Sequence, residues 1–203
     1  MTVEHVELLV EEPSMEAALR LLLPGILGDL SFEVYPFQCK DELLQRLPER
    51  LRGYAPWLPA TWRIVVIVDR DDDECSELKA KLDHIAMDAR LPPRLRAPHK
   101  PYRVVNRVAI EELEAWYFGD WQAVRAAYPR TPATIPSQAK YRSPDAIAGG
   151  TWEAFERVLQ RAGYFAGGLR KIEAARTIAQ HMDPARNTSP SFRALRDALR
   201  EMT

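Results

Sequence analysis

Ile64-Val65-Val66-Ile67-Val68 runs directly into Asp69-Arg70-Asp71-Asp72-Asp73-Glu74. A continuous apolar run of this length is typical of a strand that is buried on both faces of a parallel sheet. The acids that follow it lie at the carboxyl end of the predicted strand. In open parallel α/β sheets, ligands bind in the crevice outside the carboxyl ends of the strands. The segment therefore predicts both a sheet and a polar site at its edge.

Two further apolar segments end in acids in the same way. Val6–Val10 leads into Glu11-Glu12-Pro13-Ser14-Met15-Glu16, and Val104–Ile110 ends in Glu111-Glu112-Leu113-Glu114. Three acidic clusters at one sheet edge would repel one another unless a cation neutralised them. Carboxylate oxygens are hard ligands that suit Mg²⁺ or Mn²⁺. The pattern therefore predicts a divalent metal site.

Strand-like and helix-like segments alternate through the first part of the chain, which predicts an α/β fold with a mostly parallel, Rossmann-like sheet flanked by helices. We expect this domain to span residues 1–128. Its predicted strands are Val3–Val10, Phe32–Phe37, Trp62–Val68 and Tyr102–Ile110. Its predicted helices are Met15–Leu23, ended by Pro24-Gly25, then Asp41–Leu51, Cys75–Ala89 and Leu113–Tyr128.

The pattern changes in residues 129–203. A proline-rich connection over Pro129–Pro144 precedes three helix-like segments, at Thr151–Ala162, Leu169–Gln180 and Ser191–Glu201, and we find no strand pattern there. We expect a helical C-terminal extension packed on the sheet domain.

Composition places the chain among ordinary globular proteins. It has 203 residues, of which 46% are hydrophobic and 28% charged. Its cysteines, Cys39 and Cys75, lack a disulfide or metal pattern. Neither a signal peptide nor a membrane-spanning run is visible, so we expect a cytoplasmic protein without membrane attachment. Oligomeric state stays open.

Charge is distributed unevenly along the chain. Residues 1–128 hold 22 Asp and Glu against 16 Lys and Arg, whereas residues 129–203 hold 7 against 12. An acidic first part with a basic second part suits a metal site that faces a polyanion such as nucleic acid, although it also suits ordinary surface charge on a helical tail. Among the basic residues, we consider Lys140, Arg142, Arg170 and especially Lys171 as contacts for substrate phosphate or transition-state charge. Solvated surface cations are the alternative.

The acids also have structural interpretations. Asp69 directly ends a buried strand, and Asp71 and Asp73 continue its alternation, so all three are candidate metal ligands. Asp71–Glu74 could instead favour the start of the next helix. Glu112 and Glu114 have the same two interpretations. We expect Trp116 and Trp152 to be packing residues rather than base-stacking platforms.

The run Val10-Glu11-Glu12-Pro13-Ser14-Met15-Glu16, together with Asp69-Arg70-Asp71, resembles the Toprim family of topoisomerases, bacterial primases and nucleases of overcoming-lysogenization-defect type. In that family a glutamate ends the first strand and Asp-x-Asp ends a later one. Glu12 replaces the usual glycine. The chain further resembles a branch of small Toprim-like proteins in Val10–Ala17, Val68–Asp71 and Glu111–Trp116.

The resemblance implies a Mg²⁺- or Mn²⁺-dependent nuclease acting on DNA or RNA. Glu11, Asp69 and Asp71 would be metal ligands and catalytic residues, and Lys171 would be a further catalytic residue. Further metal ligands would be Glu16, Asp73, Glu112 and Glu114. Two ions about 4 Å apart can stabilise the attacking and leaving oxygens of phosphoryl transfer. By analogy with other small Toprim nucleases, an ATPase partner and a role in phage defence are implied.

Two other functions remain open. A receiver-like signalling module would be phosphorylated on Asp69, but the Asp-x-Asp pattern and the third acidic cluster exceed what that scheme needs. A catalytically idle Toprim domain could act as an interaction subunit.

Overall fold

The computed structural model describes residues 2–71, 73–95, 101–110 and 112–203. The candidate acids Asp72 and Glu111 lie outside the described residues. Four strands are present in these ranges: β1 (His5–Val10), β2 (Ser31–Pro36), β3 (Trp62–Asp69) and β4 (Val104–Ala109). The α-helices of the same ranges are α1 (Pro13–Leu27), α2 (Lys40–Tyr54), α3 (Cys75–Asp88), α4 (Leu113–Gly119), α5 (Trp121–Ala127), α6 (Thr151–Arg161), α7 (Lys171–Ala179) and α8 (Pro190–Arg200).

The strands form one parallel sheet in the order β2-β1-β3-β4, which confirms the predicted fold class. Side chains alternate between its faces, so Leu8 and Val65 enter one hydrophobic cluster and Leu9 and Val66 enter the other. Helix α1 covers the first face, while α2 and α3 cover the second. All carboxyl ends of the strands consequently meet at one edge.

The C-terminal helices complete the cover of the first face. Helix α7 packs on α1, and α8 packs on β4 and α1. Their buried residues, such as Ile178 and Leu195, belong to the same hydrophobic cluster as Leu8 and Val65. The division of the chain at residue 128 stays a prediction. Within the described ranges, every helix is too short or too polar to cross a bilayer.

The first predicted helix end, at Pro24-Gly25, is wrong. Helix α1 continues through Pro24 to Leu27, and Gly28 ends it with a positive φ of 60°. A proline inside a helix costs about 3 kcal/mol, but burial of two large aliphatic side chains contributes about 3–6 kcal/mol. Ile26 and Leu27 are both buried in the core, so the added turn persists.

The single helix predicted over Leu113–Tyr128 is also wrong, because the structure has two helices there, α4 and α5, separated at Asp120. A Cβ atom on Gly119 would lie 2.2 Å from the Asn187 side chain and 2.8 Å from the Ser189 backbone nitrogen. The segment before α8 therefore approaches the end of α4 more closely than a residue with a side chain at position 119 would allow. Asp120 then caps α5 by accepting from the Ala123 amide.

Candidate functional site

Glu11 and Asp69 meet at the carboxyl edge of the sheet. Strands β1 and β3 are parallel neighbours, with Val10 paired to Ile67, so the residues that end them lie side by side. Glu11 Oε2 accepts a hydrogen bond from the Asp69 amide at 2.7 Å. Both side chains belong to buried residues. The expected convergence of the strand-end acids is therefore present for this pair.

The environment of this pair favours protonation in the absence of a cation. Burial raises the pKa of Glu11 to about 7, and the charge of Asp71 adds to the rise, although the Asp69 amide and Lys40 act against it. Burial, followed by the charge of Glu11, also raises the pKa of Asp69 well above its usual range. Asp69 Oδ1 is buried and has no hydrogen-bond partner among the described residues. This oxygen therefore has an unused acceptor position.

Glu114 adds a third buried carboxyl group from the first turn of α4. Burial raises its pKa to about 8; the charge of Lys171 lowers it, and the charges of Glu12 and Glu112 raise it. Glu114 also contributes to the raised pKa of Asp69, so the two groups share one electrostatic environment. Glu114 Oε2 is buried without a hydrogen-bond partner in the part of the chain that is described.

Lys171, at the start of α7, lies against these acids. Its Nζ is 3.6 Å from Glu12 Oε2 and 5.5 Å from the centre of the Trp152 ring. Burial acts to lower the pKa of Lys171, but the charges of Glu114, Glu12 and other acids raise it above its ordinary value. We expected Lys171 to contact substrate phosphate; the structure shows it as a counter-ion of the acidic site, and its contact with substrate stays a prediction.

Glu12 was not among the predicted site residues, yet it links several parts of the site. It precedes α1 with an extended backbone, φ −140°, which any residue can adopt. This explains why glycine is not required there. Its side chain accepts from the Ser14 hydroxyl and pairs with Lys171. The sequence signal was the departure from glycine itself, which placed a charge beside the predicted metal site.

Lys40 is a second site residue that the sequence did not reveal. Its Nζ donates to the Arg70 carbonyl at 2.8 Å and to Asp71 Oδ2 at 2.9 Å, and lies 2.8 Å from Asp73 Oδ2. Asp71 has a positive φ of 47°, which turns the chain at this point. Together with Glu11, these side chains line a cleft of about 360 Å³. Lys40 follows β2, so only the order of the strands brings it to the acids.

Other predicted ligands have different partners. Glu16 pairs with Arg20 at 2.9 Å. Glu112 Oε2 accepts from the Thr151 hydroxyl at 2.9 Å and the Trp152 amide at 2.8 Å, which holds the start of α6. The Glu16 and Glu112 carboxylates are therefore engaged by groups other than Glu11 and Asp69. Their roles as metal ligands stay predictions.

The remaining candidates lie mainly in packing or surface positions. Glu74 caps α3 by accepting from the Ser76 amide, as the helix-start interpretation predicted. Trp116 is buried, and its indole nitrogen donates to Ser191 Oγ. Lys140 lies over the Tyr141 ring, 4.5 Å from its centre. Arg142 donates to the Ser137 carbonyl, and Arg170 pairs with Glu173.

The carboxylate oxygens of Glu11, Asp69 and Glu114 are ligands of the kind that a hard cation prefers, although they do not surround a single point in this structure. No group of three or more His, Cys, Asp or Glu side chains within the described ranges is arranged around a metal position. The buried, unpaired oxygens of Asp69 and Glu114 nevertheless fit a divalent cation, because carboxylate oxygen is its preferred ligand. Burial raises the pKa values of both groups and repulsion between acids adds to the rise, and a cation would offset both effects.

Comparison with known proteins identifies a family. A family model described as "Domain of unknown function (DUF4276)" matches residues 10–200 of the 203. Searches of curated proteins and of solved structures found no match.

Proposed function

The chain belongs to the DUF4276 family, and we propose that it is a metal-dependent phosphodiesterase that cleaves DNA or RNA. One observation carries the proposal: the buried carboxyl groups of Glu11 and Asp69 lie together at the carboxyl edge of a parallel sheet, and the charge of the buried Glu114 acts on Asp69. Lys40 pairs with Asp71 and Lys171 with Glu12 beside them. Buried groups with strongly raised pKa values concentrate at functional sites. The resemblance to Toprim nucleases supplies the reaction class.

In this proposal, Glu11 and Asp69 hold Mg²⁺ or Mn²⁺, with Asp71 at the rim of the cleft. The ion would supply Lewis-acid polarisation of a phosphoryl oxygen and favour ionisation of the attacking water. The chain's own contribution is to bury the two carboxylates and to fix Glu11 through the Asp69 amide. This hydrogen bond orients the Glu11 carboxylate before any ligand binds.

Lysines give the proposed site its preference for a polyanion. Lys40 and Lys171 remain charged because neighbouring carboxylates raise the pKa of each against the effect of burial. Lys40 lines the cleft beside Glu11 and Asp71. A phosphodiester in that cleft would find fixed positive charge close to the metal ligands, which stabilises charge that develops on its oxygens.

The experiment is to incubate the purified full chain with single- and double-stranded DNA and RNA in Mg²⁺ or Mn²⁺. We expect cleavage that EDTA abolishes and that Asp69→Asn reduces at least a hundredfold, the scale of a lost transition-state contact. Asp88→Asn is the matched control, because Asp88 ends α3 and pairs with His84. A protein that binds metal but cleaves none of the four substrates would contradict the nuclease assignment.

Two added measurements separate the alternatives. Asp69 ends β3 in a sheet of order β2-β1-β3-β4, an arrangement that a phosphoacceptor domain also requires. A small phosphodonor would then phosphorylate Asp69 in wild type and not in Asp69→Asn. An idle interaction subunit would show a metal-induced rise in Tm without cleavage, also in the presence of an ATPase partner.

A further inference from the structure

The Lys40 ammonium group is held by oxygens in the manner of a bound cation. Three oxygen atoms lie within 2.9 Å of Nζ: the Arg70 carbonyl, Asp71 Oδ2 and Asp73 Oδ2. The Lys40 side chain is only 13% exposed, although the two carboxylates are about half exposed. The lysine is therefore fixed inside the site rather than extended into solvent.

Two lysines neutralise part of the negative charge of the site, and each pairs with different acids. Lys40 compensates Asp71 and Asp73 on the side of the cleft. Lys171 compensates Glu12 and Glu114 on the side of α7. The charges of Asp71 and Glu114 both act on Asp69, whose Oδ1 is buried and lacks a hydrogen-bond partner in the described part of the chain. Glu114 Oε2 is also buried without a hydrogen-bond partner among the described residues, but the charge of Lys171 already compensates that carboxylate. Asp69 is therefore the buried carboxylate that is left for a cation beside Glu11.

From this arrangement we infer that Lys40 takes the place of a second metal ion, so that the protein binds a single divalent ion at Glu11 and Asp69. The inference rests on the proposed function and makes it more specific. Two-ion sites use one cation to activate the attacking oxygen and another to stabilise the leaving oxygen. Here a tethered ammonium group supplies part of that positive charge permanently.

Two physical effects explain why Lys40 should exclude a second ion: repulsion between the positive charges and occupation of the oxygen ligands. A divalent ion at Asp71 and Asp73 would have to displace the ammonium group from its three oxygen ligands, and like charges so close together repel strongly. Removing the ammonium group would leave Asp71, Asp73 and the Arg70 carbonyl as hard oxygen ligands beside Glu11. A variant without the lysine charge should therefore gain an ion site.

The test is the number of Mn²⁺ ions bound per full chain, measured by electron paramagnetic resonance of free Mn²⁺ and by calorimetry. We expect one ion in wild type and two in Lys40→Met. Lys40→Arg keeps the charge and should bind one. The matched control is Lys79→Met, which removes a lysine paired with Asp83 at 2.6 Å on α3 and should bind one.

Each other result overturns the inference in a recognisable way. Two ions in wild type, or one ion in Lys40→Met with its fold intact by circular dichroism, would show that Lys40 does not occupy a cation position while leaving metal-dependent cleavage possible. No ion in wild type would overturn both this inference and the proposed function. A wild-type count other than one overturns the inference even where Lys40→Met does not fold.

Discussion

Replacing Glu114 by glutamine should change how stability depends on pH in the metal-free protein. Glu114 is 1% exposed, and burial raises its pKa from the ordinary 4.5 to about 8. The folded protein therefore binds a proton at Glu114 that the unfolded chain releases between these two values. This stabilisation is fully present below pH 4.5 and is lost as the pH rises through about 8.

The size of the effect follows from the same two pKa values. One pKa unit corresponds to about 1.4 kcal/mol, so the interval from 4.5 to about 8 corresponds to about 5 kcal/mol as an upper value. Structural relaxation and water penetration reduce it, and we expect Glu114 to account for about 3 kcal/mol of the loss between pH 5 and pH 9. Because the pKa of Glu11 is raised to about 7, protonation of Glu11 should also stabilise the folded protein, and this contribution should be lost over a lower pH range than that of Glu114.

Urea unfolding in EDTA at pH 5, 7 and 9, followed by far-ultraviolet circular dichroism, measures this difference. Relative to wild type, Glu114→Gln should gain free energy of unfolding as the pH increases. Glu42→Gln is the control: hydrogen bonds from the Gln38 amide and Arg46 lower the pKa of this partly exposed acid, which therefore titrates below the window. A difference between Glu114→Gln and wild type that is the same at pH 5 and pH 9 would refute the reasoning.

Two further predictions concern the helical part of the chain. Lys140 and Arg142 are exposed and are candidate contacts for substrate phosphate. If they make these contacts, replacing both by alanine should reduce the slope of log Kobs against log salt concentration by about 2, because fewer counterions are released on binding. An unchanged slope would assign both residues to the solvated surface. The Asp120 carboxylate is fully buried and accepts from Arg186 at 2.8 Å and from the Asp183 amide at 2.8 Å. Asp120→Ala should lower the free energy of unfolding by about 3 kcal/mol, because Arg186 is only one-third exposed and loses its partner. A loss below about 1 kcal/mol in urea unfolding would show that the Arg186 guanidinium and the Asp183 amide are hydrated in the variant instead.

The parallel sheet was predictable because its signals are local. The apolar run Ile64–Val68 of β3 is continuous, that of β1 is interrupted only by Glu7, and each is followed at once by acids. In a parallel sheet such ends reach one edge whatever the strand order, so the sequence predicts that Glu11 and Asp69 lie at the same edge. Their direct contact follows from the pairing of β1 with β3. Helix boundaries were less predictable, because burial of Ile26 and Leu27 outweighs the local effect of Pro24.

The chain's residue order alone determined which residues end the strands and hence which carboxyl groups reach the sheet edge. Only the tertiary structure decided which of them are desolvated and which are neutralised. Lys40 and Lys171 belong to different helices, and their positions beside Asp71 and Glu12 follow from the strand order and from the packing of α7 on α1. Solvation and Coulomb energies depend on distances through space, and no local sequence pattern encodes distances between segments so far apart in the chain.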